Sequence, residues 1–150
     1  MAIRNTIKLK KYVDIIEELP RAGTDIKPGM LVELNSDGKV EPHDDEDENV
    51  LPMFALEDEL QGGTIDDDYD TEDEPVQVWV PQRGEIVWAL IDESDDPDVG
   101  AFVSSNGAGR VQIFTNFADD AAVYPTAIVG QVIESKDTDG EEHRVKIRII

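Results

Sequence analysis

The sequence predicts an all-β fold, a small barrel or sandwich built from short hairpins and preceded by an extended arm. Three observations predict it. Apolar and polar residues alternate with period two in several segments, most cleanly over Val76-Gln77-Val78-Trp79-Val80 and from Arg144 to Ile150. Between such segments turn chemistry recurs at Pro28-Gly29, Asp37-Gly38, Asn106-Gly107 and Asp139-Gly140. A third segment, Glu85-Ile86-Val87-Trp88-Ala89-Leu90-Ile91, is a near-continuous apolar run suited to a buried strand. Short strands separated by turn signals are the pattern of barrels and sandwiches.

Residues 2–11 set Ile3, Ile7 and Leu9 against Arg4, Lys8 and Lys10, with Thr6 between them, which reads as an extended arm with cations on one face. Tyr12 to Pro20 is compatible with a short helical turn ended by Pro20 or with a continuation of the arm. We take 1–22 as the arm and 23–150 as the body. In the body, Leu31 to Leu34, the turn Asn35-Ser36-Asp37-Gly38 and Lys39 to Pro42 form a hairpin, Gly38 supplying the positive φ of a tight reversal. The acidic run from His43 to Asn49 reads as a solvated loop, and Val50 to Leu56 as an apolar strand. Gly62 to Glu74 is a second acidic loop with room for one short turn. Val76 to Val80, the turn Pro81-Gln82-Arg83-Gly84 and Glu85 to Ile91 read as a second hairpin. Asp92 to Asp98 is a loop and Val99 to Val103 a short strand. The turn Ser104-Ser105-Asn106-Gly107-Ala108-Gly109 leads into a strand from Arg110 to Phe114, followed by a polar connection around Asn116 to Ala121. Ala127 to Glu134 and Arg144 to Ile150 form the last hairpin around Lys136 to Gly140, with Val145, Ile147 and Ile149 on one face and Arg144, Lys146 and Arg148 on the other.

A chain of 150 residues holds one ordinary domain with a core of its own. With 39% apolar residues it is expected to fold despite a formal net charge of −22. It has no cysteine, which excludes disulfides, thiolate metal sites and thiol nucleophiles. The first residues lack an apolar core of signal-peptide length, and no stretch approaches the roughly 18 apolar residues of a membrane span, so a soluble, non-exported protein is expected.

Charge is sorted by position. All 35 acids lie between Asp14 and Glu142, and the segment from Tyr12 to His143 sets them against only six cations, a formal −29. The other seven cations are Arg4, Lys8, Lys10 and Lys11 at one end and Arg144, Lys146 and Arg148 at the other. So acidic a body disfavours direct binding to nucleic acid or to an anionic membrane. Twenty Asp and 15 Glu against seven Lys is also the balance of proteins from salt-rich cytoplasms, where self-repulsion is screened.

The acidic runs Asp44 to Glu48 and Asp66-Asp67-Asp68 are the first metal candidates, since hard cations take several carboxylate oxygens. Consecutive carboxylates on one loop do not all converge on one ion, however, and both are read as solvated loops, leaving no metal or cofactor assigned. Asp137-Thr138-Asp139-Gly140-Glu141-Glu142 resembles part of an EF-hand loop, but Ser135 and Lys146 occupy two of its ligand positions, so it reads as a hairpin turn. For nucleophilic catalysis only His43 and His143 are available as bases, and neither has a recognisable partner in sequence. Asn106-Gly107-Ala108-Gly109 leads into a strand, which lacks the helix N-terminus of a phosphate loop. No catalytic residue is assigned. The arm is the stronger signal, because alternating cations and aliphatics suit strand addition to a neighbour's sheet edge.

These segments resemble a family. Thr6-Ile7-Lys8-Leu9-Lys10-Lys11-Tyr12, Ile26-Lys27-Pro28-Gly29-Met30-Leu31-Val32-Glu33-Leu34, Pro52-Met53-Phe54-Ala55-Leu56-Glu57-Asp58-Glu59, Thr64-Ile65-Asp66-Asp67-Asp68-Tyr69, Val76 to Val80 and Ser104 to Gly109 together look like the head decoration, or capsid cement, proteins of tailed bacterial and archaeal viruses. The resemblance implies a β-tulip-like barrel body with an extended arm, assembled as homotrimers on the outer surface of an icosahedral head. It implies contact with the major capsid protein or neighbouring copies through Ile3, Arg4, Ile7, Lys8, Leu9, Lys10 and Lys11. The acidity of Asp44 to Glu48 and Asp66 to Glu74 departs from the family and fits a salt-loving host. The alternative expectation is a stand-alone halophilic β-barrel that binds a ligand or cation, with Trp79, Arg83 and Trp88 as candidate lining residues, although aromatic residues in hairpin strands more often belong to a core.

Overall fold

Alternation in the last strand builds one wall of a barrel. Val145, Ile147 and Ile149 are buried while Lys146 and Arg148 face solvent, as period two requires. In the computed structural model, which describes residues 15–115 and 125–150, this strand is the last of ten. They are β1 (Ile16–Pro20), β2 (Val32–Leu34), β3 (Val40–Pro42), β4 (Phe54–Ala55), β5 (Pro75–Trp79), β6 (Ile86–Ile91), β7 (Phe102–Ser105), β8 (Val111–Ile113), β9 (Gly130–Val132) and β10 (His143–Ile149). Two single 3-10 turns, Glu59–Gln61 and Pro125–Ala127, complete the regular structure among the described residues. The fold is all-β with a small closed barrel.

That barrel has the strand order β10-β6-β8-β7-β9, closed by β9 on β10. Its neighbours are antiparallel except β6 and β8, which meet in parallel at Ile91 and Val111. Val87, Ala89, Ile91, Val103, Val111, Val132, Val145 and Ile147 fill it. Full burial of each Val or Ile contributes about 1.5–3 kcal/mol, so the interior is the main source of stability. The predicted β9–β10 hairpin forms, with Ile147 opposite Val132 and Ile149 opposite Gly130.

The other half joins a three-stranded sheet, β1-β5-β4, to the β2–β3 hairpin. This hairpin forms as expected, with Gly38 at φ +76°. Along one side the two sheets are stitched together by a bridge from Leu31 to Phe54 and by Val32 N–H donating to the Met53 carbonyl at 2.8 Å. On the other side β1 meets β3 only at its C-terminal end, where Ala22 N–H donates to the Val40 carbonyl at 2.8 Å. Ile26, Val32, Val40, Met53, Tyr69, Val76 and Val78 form a second core within this half. Tyr69, from the second acidic loop, is fully buried and its hydroxyl donates to the Leu56 carbonyl at 2.7 Å. Burial pushes that phenol up to about 12.

Several local expectations are corrected. The segments 76–80 and 85–91 do not form a hairpin: β5 pairs with β1 and β4, whereas β6 pairs with β10 and β8. The turn at Pro81 to Gly84 instead carries the chain from one sheet to the other. Valines of β5 serve the second core, and β10 offers β6 a six-residue ladder that the five-residue β5 does not match. β6 is also not buried throughout, since Ile86 and Trp88 are exposed. The expected strand over 50–56 shortens to Phe54–Ala55, and Ser104-Ser105, read as a turn, lies in β7. Between the two readings of residues 12–20, the extended one holds for Ile16–Pro20, which pair with β5 from Ile16 opposite Trp79 to Pro20 opposite Pro75. The connection around Asn116 to Ala121 lies outside the described residues.

Candidate functional site

Ile3, Arg4, Ile7, Lys8, Leu9, Lys10 and Lys11 lie outside the described residues, which begin at Ile15, so that β1 falls inside the segment 1–22 assigned to the arm. Among the described residues β1 is the edge of its sheet. Val80 N–H donates to the Ile15 carbonyl and Arg21 N–H to the Glu74 carbonyl, both at 2.9 Å. Odd-numbered residues of this ladder therefore direct their backbone groups at β5, and Ile16 and Glu18 direct theirs outward.

Beside that edge, between β1 and β2, lies a groove of about 410 Å³. Leu19, Leu34, Leu51, Met53 and Val80 line it together with Glu17 and Glu33. Leu34 and Leu51 are 54% and 66% exposed and stand together in this groove. The opposite face of β1 is different. There Glu18, which accepts from Gln77 Nε2 at 2.7 Å, stands on the same face as Ile16, and Glu57, Glu59 and the exposed Leu60 surround Ile16 and Gln77. The groove face is thus mainly apolar but includes Glu17 and Glu33, and the other face sets Glu18, Glu57 and Glu59 beside Ile16, Leu56 and Leu60.

The acidic run at 44–48 is tied to the barrel by its polar side chains. His43 is buried, with Nδ1 2.8 Å from Ser105 Oγ and Nε2 3.6 Å from Glu33 Oε2. Ser104 Oγ donates to Asp47, and Gln112 Nε2 donates to Glu46 at 3.1 Å. The order Ser105–His43–Glu33 has the outline of a nucleophile, a base and an orienting acid. Ser105, however, is fully buried and its Oγ also accepts from Gly107 N–H at 3.1 Å, so no substrate atom reaches it. These contacts fasten a loop. Sequence gave no sign of them, because the partners are 62 residues apart.

Glu33, Glu41 and Asp44 each bring an oxygen within 4.8 Å of the others. Glu33 is pushed up to about 7, first by partial burial and then by the hydrogen bond and charge of Asp44. The triple at 66–68 separates instead. Asp66 faces Arg144 at 3.6 Å, Asp67 accepts from Thr64 N–H at 2.7 Å and Thr64 Oγ1 at 2.9 Å, and Asp68 lies 4.0 Å from Lys27. The EF-hand-like phrase is a turn anchored by Thr138, whose N–H donates to Asp96 at 2.7 Å. Trp79 and Trp88 line a cleft of about 240 Å³ with Arg144, whose guanidinium sits 5.9 Å from the Trp88 ring centre. Arg83 is not among its lining residues.

The chain is similar in fold to the N base of the head fiber gp8.5 of bacteriophage phi29. The two superpose with a TM-score of 0.57 over 92% of this chain and 95% of that one, at 15% sequence identity. No protein-family model and no curated protein matches the chain. At that identity the likeness concerns the fold. Among the described residues no helix is long and apolar enough to cross a membrane.

Proposed function

We propose that this protein is a non-enzymatic structural component of a tailed-virus head, seated on the outer capsid surface and attached through its basic N-terminal arm. The observation that carries the reading is the fold shared with a phage head-fiber base across nearly the full length of both chains. The sequence resemblance to head decoration proteins points the same way from independent features. In this reading the major capsid protein and further copies of the chain, arranged as a homotrimer, are the partners. Many weak contacts of one arm per subunit become effective through multivalency on a repeating lattice. The body's cations are largely engaged by its own acids, as in Lys27–Glu142, Lys39–Asp73 and Arg110–Glu93, which leaves the arm as the concentrated positive element.

The test is attachment. The full chain is expected to co-purify with virus particles in fixed stoichiometry, and a chain lacking residues 1–11 to keep its β-rich circular dichroism but lose its place on heads. Full occupancy by the truncated chain would overturn the role of the arm; absence of the intact chain from particles would overturn the reading as a whole.

A further inference from the structure

The edge of β1 matches the arm in pattern on both faces. In an extended segment Ile3, Ile7 and Leu9 fall on one side, with Lys11 at its end, and Arg4, Lys8 and Lys10 on the other. A strand laid along β1 would meet the outward backbone groups of Ile16 and Glu18. Its alternate side chains would enter, on one face, the groove of Leu34, Leu51 and Met53, and on the other the surface of Glu18, Glu57 and Glu59. Aliphatics would then face the apolar side and cations the carboxylates. We infer that the arm of a second copy of this chain adds as a strand to the β1 edge and fills the groove between β1 and β2. The inference rests on the proposed role of the arm and specifies its receptor as another copy, where that role alone leaves the capsid protein as an equal candidate.

Three features favour a second copy. Among the described residues β1 has no strand beyond the outward groups of Ile16 and Glu18, so an added strand extends that sheet beside the groove. Each chain carries both the basic arm and the β1 edge, so donor and acceptor are present in equal number. The arm also offsets repulsion between bodies that otherwise carry 35 acids against six cations.

The chain has no cysteine, which allows a clean trap. Leu9→Cys and Leu34→Cys chains, purified separately and mixed in about 1 M salt, where the Debye length is about 3 Å, are expected to give a disulfide-linked heterodimer on mild oxidation, with neither chain alone giving it in comparable yield. Loss of that product when Leu51→Lys is added to the Leu34→Cys chain would place the arm in the groove. Leu51 is largely exposed, so this substitution leaves the core intact. Absence of the heterodimer, or a chain carrying both cysteines that closes only within itself at every concentration, would overturn the inference. If cross-linking fails while the 1–11 truncation still leaves heads, the second-copy receptor falls and the attachment role stands. If cross-linking succeeds but the intact chain never joins heads, the reverse holds.

Discussion

His43 Nδ1 and Ser105 Oγ meet at 2.8 Å inside the protein, joining the first acidic loop to a barrel strand. The Ser105 hydroxyl accepts from Gly107 N–H and so has its own proton free for the imidazole, which fits the tautomer with the proton on Nε2 facing Glu33. Ser105→Ala leaves that buried nitrogen without a partner and is expected to cost about 1–3 kcal/mol. Urea denaturation of the two proteins measures it; equal midpoints would show that the contact contributes nothing.

Glu33 makes stability depend on pH in a defined window. Its folded value of about 7 lies above the ordinary 4.5, so its protonated form is favoured by folding. The contribution is fully present below 4.5 and is lost as pH rises through 7. Glu33→Gln removes the penalty: above neutrality the variant is expected to be more stable than the parent by about 1–3 kcal/mol, a figure discounted for partial exposure, with the difference fading towards the acid end. Melting temperatures of both proteins across this range provide the check, and a difference independent of pH would refute it.

Two glycines with nearly equal φ separate backbone strain from crowding. Gly38 and Gly109 sit at +76° and +74°; a Cβ at Gly38 meets nothing within 4 Å, but at Gly109 it would lie 2.8 Å from Pro42 Cβ. Gly38→Ala is expected to cost about 1–2 kcal/mol and Gly109→Ala about 2–4 kcal/mol. Equal losses in thermal unfolding would mean that Pro42 yields without cost.

Arg144, expected to face outward with Lys146 and Arg148, is instead largely covered: it reaches the carbonyls of Pro28 and Ile65 and stacks near Trp88. Lysine keeps the charge but lacks the planar fork, so Arg144→Lys is expected to lose about 1–2 kcal/mol. Chemical denaturation that finds lysine equivalent would reduce the residue to a point charge.

Salt dependence follows from the −29 of the segment between Tyr12 and His143, set by its 35 acids and six cations. Assemblies of this chain are expected to dissociate as salt falls from about 1 M to about 0.1 M, where the Debye length grows to about 10 Å. Sedimentation velocity at the two salt levels tests this, and an unchanged distribution would count against repulsion as the controlling force.

What the sequence determined by itself was local. The inward and outward faces of β10 and the reversal at Gly38 were legible, because period-two alternation and a positive φ are properties of a few consecutive residues. Partner choice was decided by tertiary structure. β5 and β6 are joined by a turn and yet belong to different sheets, since the longer β10 ladder and two separate cores outweigh proximity along the chain. The same holds for the candidate site. The arm's pattern could be read from residues 3 to 11, and Glu17, Glu18 and Pro20 are residues suited to an edge strand, but the groove beside that edge and the carboxylates on its other face arise only when β1, β2 and the Glu57–Glu59 turn, far apart in sequence, are brought together.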